Sequence, residues 1–156
     1  MKEGFNQAYK NNTDIWSKNA SQLLQWLDMV KPLTALDLGC GSGGYVEILV
    51  AKGYEVTGLD FSEEAIKQAK AKVPQANFSV YNLNNLATFE IAEKFNLILD
   101  IKTLAFIKEK QAYLAEIYRL LKPDGIFILQ YFSKHPKPEI VVTNFESLQL
   151  PFKQIR

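Results

Sequence analysis

The run Gly39-Cys40-Gly41-Ser42-Gly43-Gly44 satisfies both G-x-G-x-G and G-x-G-x-x-G. Glycine at those spacings lets a backbone turn tightly and approach a ligand with no Cβ in the way. Asp60 lies 21 residues after Gly39. A carboxylate at that spacing can accept hydrogen bonds from both hydroxyls of a ribose. The chemistry these residues suit is nucleoside binding. It requires the glycine run to join a strand to a helix, and Asp60 to end the next strand. A structural turn beside a solvated Asp60 would require neither.

The flanking sequence meets both requirements. Ala35-Leu36-Asp37-Leu38 reads as a short buried strand running into the glycines, and Tyr45 to Lys52 reads as a helix that Gly53 ends. Glu55 to Leu59 is a second strand. Ser62 is an N-cap for a helix with Glu63 and Glu64 in its first turn and Ala65, Ile66, Ala69 and Val73 turned inward. Phe78 and Val80, with Asn82 beyond them, alternate with polar neighbours as in an edge strand. Phe95 to Leu99 is a fourth strand. Lys110 to Leu121 is a helix, Lys122-Pro123-Asp124-Gly125 a turn and Ile126 to Leu129 a fifth strand. Upstream, Ala20, Leu23, Leu24, Leu27 and Val30 share one face of a helix from Lys18 to Val30, and residues 1–14 read as loose and polar. Strands alternating with helices imply an α/β fold with a parallel sheet covered on both faces. Such sheets bind ligands beyond the carboxyl ends of their strands, where the glycine run lies.

Composition narrows the classes. The 156 residues carry 18 Lys+Arg against 17 Asp+Glu, a net charge of +1, with no basic run to attract nucleic acid. One cysteine and one histidine argue against a metal site. The polar start has no signal-peptide core, and no apolar run approaches the roughly 18 residues that span a bilayer. The expectation is a cytoplasmic protein without a membrane partner.

Four segments together resemble the seven-strand, Rossmann-like S-adenosylmethionine-dependent methyltransferases. Ala35-Leu36-Asp37-Leu38-Gly39-Cys40-Gly41-Ser42-Gly43 resembles their first motif, and Val56-Thr57-Gly58-Leu59-Asp60-Phe61-Ser62 their second. Phe95-Asn96-Leu97-Ile98-Leu99 resembles their fourth strand, and Leu120 to Ile126 their turn into strand five. The resemblance runs from about Trp16 to Phe132. It implies a three-layer fold with a mainly parallel sheet, S-adenosylmethionine as cofactor, S-adenosylhomocysteine as product, and no metal. It implies residues 18–156 as the cofactor-binding domain, behind a flexible segment at 1–17. By resemblance, Asp37 helps to hold the methionine end, while Gly39, Cys40 and Gly41 flank the methionine and ribose. Asp60 takes the ribose hydroxyls, and Phe61 lies against the adenine. Asn82 and Leu83 stand where the family contacts the adenine amine. That position is often Asp, and Asn82 would accept through its amide oxygen. Asp100 and Lys102 face the methionine tail and the substrate. Asp37 also weighs against a nicotinamide oxidoreductase, since a pyrophosphate would be repelled where an ammonium group is welcome.

Methyl transfer from a sulfonium needs alignment and exclusion of water, and a base only when the acceptor must lose a proton. The candidates for proton work are His135, Asp100 and Lys102, each with a plainer role in solvent or in backbone positioning. Many relatives by resemblance carry a histidine where this chain has Phe106. Cys40 reads as a small loop residue rather than a nucleophile. Phe5, Tyr9 and Trp16 precede the first expected helix, and the family's N-terminal segment often shapes the substrate pocket. The expected acceptor is a small molecule; the alternative is a silent cofactor-binding domain that acts through a partner.

Only 23 residues follow Ser133. Ile140-Val141-Val142-Thr143 and Phe152-Lys153-Gln154-Ile155 could each be a strand, so the closing strand pair reads as shortened. Either this tail adds a strand beside strand five, or that edge associates with another copy.

Overall fold

The computed structural model describes residues 2–11, 27, 31–131 and 139–143. Its strands are β1 (Thr34–Leu38), β2 (Glu55–Asp60), β3 (Asn77–Val80), β4 (Phe95–Ile101), β5 (Leu121–Tyr131) and β6 (Glu139–Thr143). They form one sheet in the order β3-β2-β1-β4-β5-β6. The first five are parallel, and β6 runs antiparallel to β5. Its helices are α1 (Lys2–Lys10), α2 (Gly44–Ala51), α3 (Glu63–Lys72) and α4 (Lys110–Leu120), with short 3-10 turns at Leu83–Thr88 and Thr103–Phe106.

Alternation along the strands builds three layers. On one face of the sheet Ala35, Leu97, Leu99 and Ile128 pack with Val46 and Leu49 of α2, Ile66 and Ala69 of α3, and Leu27. On the other, Leu36, Leu38, Ile98, Phe127 and Leu129 pack with Leu114, Ile117 and Leu120 of α4. Burial on both faces is why β1 and β4 read as nearly continuous apolar runs. Ser62 caps α3 as expected, its hydroxyl oxygen accepting from Ala65 N at 3.1 Å. Strand order reverses between β1 and β4, which opens the crevice where such sheets bind ligands.

Several expectations change. Residues 2–10 are not loose but form a helix that lies against α3. Gln68 Nε2 donates to Tyr9 O at 2.8 Å, Asn6 and Ser62 share a side-chain hydrogen bond, and Tyr9 is buried. A helix polar over most of its surface reads as loop until the aromatic face that anchors it is located. Val80 does not turn inward with Phe78 but is 45% exposed, because β3 ends the sheet. Residues 122–125 do not separate α4 from β5: Phe95 pairs with Leu121 and Leu97 with Ile126, so the turn bulges out within the strand. Of the expected helix at 18–30 only Leu27 is described, and it is buried. Strand β6 covers the edge of β5 in register from Phe127–Thr143 to Tyr131–Glu139. The possible strand at 152–155 lies outside the described residues, as do Trp16 and His135.

Candidate active site

The glycine run leaves β1 by bending over the end of β2. Gly39 N and Cys40 N both donate to Leu59 O, at 2.7 and 3.0 Å, and Gly43 N closes a turn onto Cys40 O at 3.0 Å. Gly39 and Gly41 have φ of 78° and 54°, backbone that favours glycine. Both also permit close approach. A Cβ on Gly39 would fall 2.0 Å from Thr103 Oγ1, and one on Gly41 2.5 Å from Tyr9 Oη. In this structure the loop is therefore approached by two hydroxyl side chains that neither motif spacing reveals.

Asp60 ends β2 and ties the loop down. Its Oδ2 accepts from Gly41 N at 3.0 Å and its Oδ1 from Ser62 N at 2.8 Å. Burial raises its pKa from the usual 3.8, and the backbone N–H groups of Ser62 and Gly41 oppose that rise. Each oxygen keeps a lone pair for a further donor.

A pocket of about 140 Å³ opens beside the loop at the carboxyl ends of the strands. It is lined by Gly39, Cys40, Gly41, Asp60, Phe61, Asn82, Leu83 and Lys102, all expected at the site. The structure also brings in Phe5, Tyr9, Tyr45, Ile101, Thr103, Phe106 and Ile107. Helix α1 narrows the space. Phe5 sits edge-on between Phe61 and Phe106, with ring centroids 5.3 Å from each. The volume is accordingly below the roughly 300–1,000 Å³ usual for small-molecule sites.

Two expected site residues lie under this pocket rather than on its wall. Asp37 is 1% exposed, its Oδ2 has no hydrogen-bond partner among the described residues, and its pKa is raised to about 8 by burial first, then by Asp100 and Asp60. Asp100 does not line the pocket. It is fully buried, with Oδ1 accepting from Thr103 N at 2.8 Å and Leu104 N at 3.1 Å, and Oδ2 from Tyr113 Oη at 2.8 Å. Burial raises its pKa to about 7 against these donors. A carboxylate so occupied fixes the turn at Thr103–Phe106 and is poorly placed to take a proton from an acceptor. Tyr113 was not legible as its partner, since helical periodicity marks it only as inward-facing.

Asn82 lines the pocket and also caps the turn that follows it. Its amide oxygen accepts from Asn84 N at 3.1 Å, capping the following 3-10 turn, so that oxygen is directed at its own backbone. Cys40 is buried, its thiol pushed well above the usual range by burial and then by Asp37 and Asp60, and it donates weakly to Gly41 O at 3.7 Å. That environment holds a protonated, unreactive thiol. Among the described residues no three His, Cys, Asp or Glu side chains are grouped to hold a metal, and no helix is long and apolar enough to cross a membrane.

The geometry has clear counterparts among known proteins. A family model described as a methyltransferase domain matches residues 30–155. A ubiquinone biosynthesis O-methyltransferase of Cereibacter sphaeroides is 32% identical over 107 residues, covering 67% of this chain and 43% of that relative. A trans-aconitate 2-methyltransferase of Methylobacterium radiotolerans is 29% identical over 124 residues, 78% of this chain and 46% of the relative. The chain thus spans less than half the length of these two proteins. Among solved structures, a TehB-like SAM-dependent methyltransferase from Corynebacterium glutamicum superposes with a TM-score of 0.66 at 27% identity, over 85% of this chain and 73% of that one.

Proposed function

The chain belongs to the methyltransferase-domain family, and from that premise we propose that it binds S-adenosylmethionine and transfers the sulfonium methyl group to a small-molecule acceptor. The observation that carries this reading is Asp37. A fully buried carboxyl with an oxygen unpartnered among the described residues, two residues before a glycine loop, stays largely protonated at neutral pH unless a cation completes it as a carboxylate. The ammonium group of a methionine tail is such a cation, and the phosphates of a dinucleotide are not. The other residues fit the rest of the molecule. Asp60, already oriented by Gly41 and Ser62, keeps acceptor capacity for a ribose diol. Phe61 and Leu83 supply apolar surface for adenine, and the Leu83 N–H opens the 3-10 turn where a ring nitrogen can accept it.

The cofactor supplies an activated methyl group on a good leaving group. The chain's part is alignment and exclusion of water. Tyr9, on α1, and Thr103 close over the glycine loop, and Phe5 closes the pocket between Phe61 and Phe106. Asp100 and Tyr113 hold the turn that carries Thr103. Held by the glycine loop, Asp60, Phe61 and Leu83, S-adenosylmethionine would present its methyl carbon to an acceptor seated beside Tyr9, Thr103 and Phe106. A net charge of +1 supports a small acceptor over nucleic acid, and a single cysteine fits the reducing cytoplasm.

Thermal unfolding with S-adenosylhomocysteine and, separately, with NAD tests the reading. Stabilisation by the first alone is expected. Stabilisation by NAD alone would overturn it.

A further inference from the structure

Methionine, ribose and base follow one another in S-adenosylmethionine, and β4, β1, β2 and β3 follow one another across the sheet. Asp37 lies on β1 and Asp60 closes β2. A ligand with its ammonium group near Asp37 and its ribose at Asp60 would next reach the chain that leaves β3. Tyr81 N donates to Asp60 O at 2.8 Å, which holds that chain beside the end of β2, and the pocket continues along Asn82, Leu83 and Asn84. The base of such a ligand would meet these three residues.

Hydrogen bonds sort their polar atoms. Lys108 N donates to Asn84 Oδ1 at 2.9 Å, so the oxygen of that amide faces backbone and its nitrogen is left to donate. Asn84 N donates to Asn82 Oδ1 at 3.1 Å, and Asn84 Nδ2 donates to the same oxygen at 3.4 Å. Only the oxygen of an amide can meet a backbone N–H, which fixes how the Asn82 side chain is turned. Both lone pairs of that oxygen are then taken. Asn82 keeps its Nδ2 group, two donors on an exposed side chain at the pocket wall. Leu83 N is the first N–H of the 3-10 turn at Leu83–Thr88, where such groups have no partner inside the turn. The Asn82 amide and the Leu83 N–H thus both offer hydrogens to a base.

We propose that Asn82 sets how the base is recognised: its amide donates to the purine ring nitrogens together with the Leu83 N–H, and the exocyclic amine of adenine contributes almost nothing to affinity. The inference rests on the methyltransferase reading above. A carboxylate at this position would act differently. One of its oxygens would cap the turn through Asn84 N, and the other would remain for the amine. An amide has one oxygen, and here the cap consumes it.

The test is calorimetric titration of the full chain with S-adenosylhomocysteine, its deamino analogue carrying purine in place of adenine, and its 1-deaza and 7-deaza analogues. The deamino analogue should bind within about threefold of S-adenosylhomocysteine, and at least one deaza analogue about tenfold more weakly. Asn82→Asp keeps the cap and adds an acceptor for the amine. It should tighten S-adenosylhomocysteine about tenfold and leave the deamino analogue within about threefold, creating a discrimination that the wild type lacks. The wild-type comparison decides the question alone if that variant does not fold. Three results would overturn the inference: a loss of about tenfold or more for the deamino analogue in the wild type, no loss for either deaza analogue, or the same ratio of S-adenosylhomocysteine to deamino affinity in Asn82→Asp as in the wild type. Wild-type protein that binds none of the four ligands is a separate result, and removes the methyltransferase reading instead.

Discussion

Asp60 accepts the backbone N–H of Gly41 at 3.0 Å, so the glycine loop after β1 and the end of β2 are locked together by one carboxylate. The same carboxylate takes the N–H of Ser62, the residue that caps α3. The loop's shape and the start of the next helix thus depend on a single side chain that is also the expected ribose acceptor.

Asp60→Ala should therefore lose both stability and ligand response. Two buried N–H groups are left without an acceptor, at about 1–3 kcal/mol each, so the melting temperature should fall by several degrees. S-adenosylhomocysteine at about 100 times its Kd should stabilise the wild type by about 2.7 kcal/mol, a rise of roughly 5–10 °C in a chain of this length. The variant should show almost none of that rise in a thermal scan. An undiminished rise would remove Asp60 from the ligand site.

The acid pair Asp37 and Asp100 makes stability depend on pH in a direction opposite to that of surface carboxylates. Both have raised pKa values, to about 8 and about 7 from the usual 3.8. Between pH 4 and 8 the native state holds more protons than the unfolded one, so their contribution is complete below pH 4 and is lost as pH rises through 7 to 8. Asp37→Asn should flatten that decline in urea melts, with a higher melting temperature than wild type at pH 8. A decline of unchanged slope would assign it to other groups.

Ligand binding should report on Asp37 directly. At pH 7 its carboxyl is largely protonated, and an ammonium group placed beside it favours the ionised form. S-adenosylhomocysteine binding should release a proton, so that calorimetric enthalpy varies with the ionisation enthalpy of the buffer, and affinity should rise from pH 6 to pH 8. Asp37→Asn should abolish the buffer dependence. Identical enthalpies in phosphate and Tris for the wild type would contradict it.

Tyr113→Phe removes one of three donors to Asp100. The loss should be about 1–3 kcal/mol where Asp100 is ionised and less where it is protonated, so the variant should be more destabilised at pH 8 than at pH 5 in urea titrations. Equal destabilisation at both would mean the hydroxyl serves packing alone.

Removal of residues 139–156 uncovers the backbone of β5 from Phe127 to Tyr131. An open edge on an apolar strand pairs with other chains, so light scattering should detect oligomers or aggregates of the truncated protein. A monomer with the original melting temperature would show that β6 protects nothing.

The amino-acid sequence by itself determined the alternation of strands and helices, the parallel sheet, the glycine loop and its acidic partner. Each is written in local terms: apolar runs of strand length, a serine cap, glycines at fixed spacing, an acid one strand later. The tertiary structure decided what distance along the chain conceals. Helix α1 is polar over most of its surface, and only its contact with α3 and Phe61 shows why Phe5 and Tyr9 belong to the pocket. Asp100 looked available until Tyr113 and the turn at Thr103 were seen to occupy it. Asn82 kept its oxygen for its own turn, and Lys102 carries a backbone strain that no residue type announces. Hydrogen bonds between segments 13 to 59 residues apart, and the backbone angles they impose, are set by packing of the whole sheet. Local pattern carries no record of them.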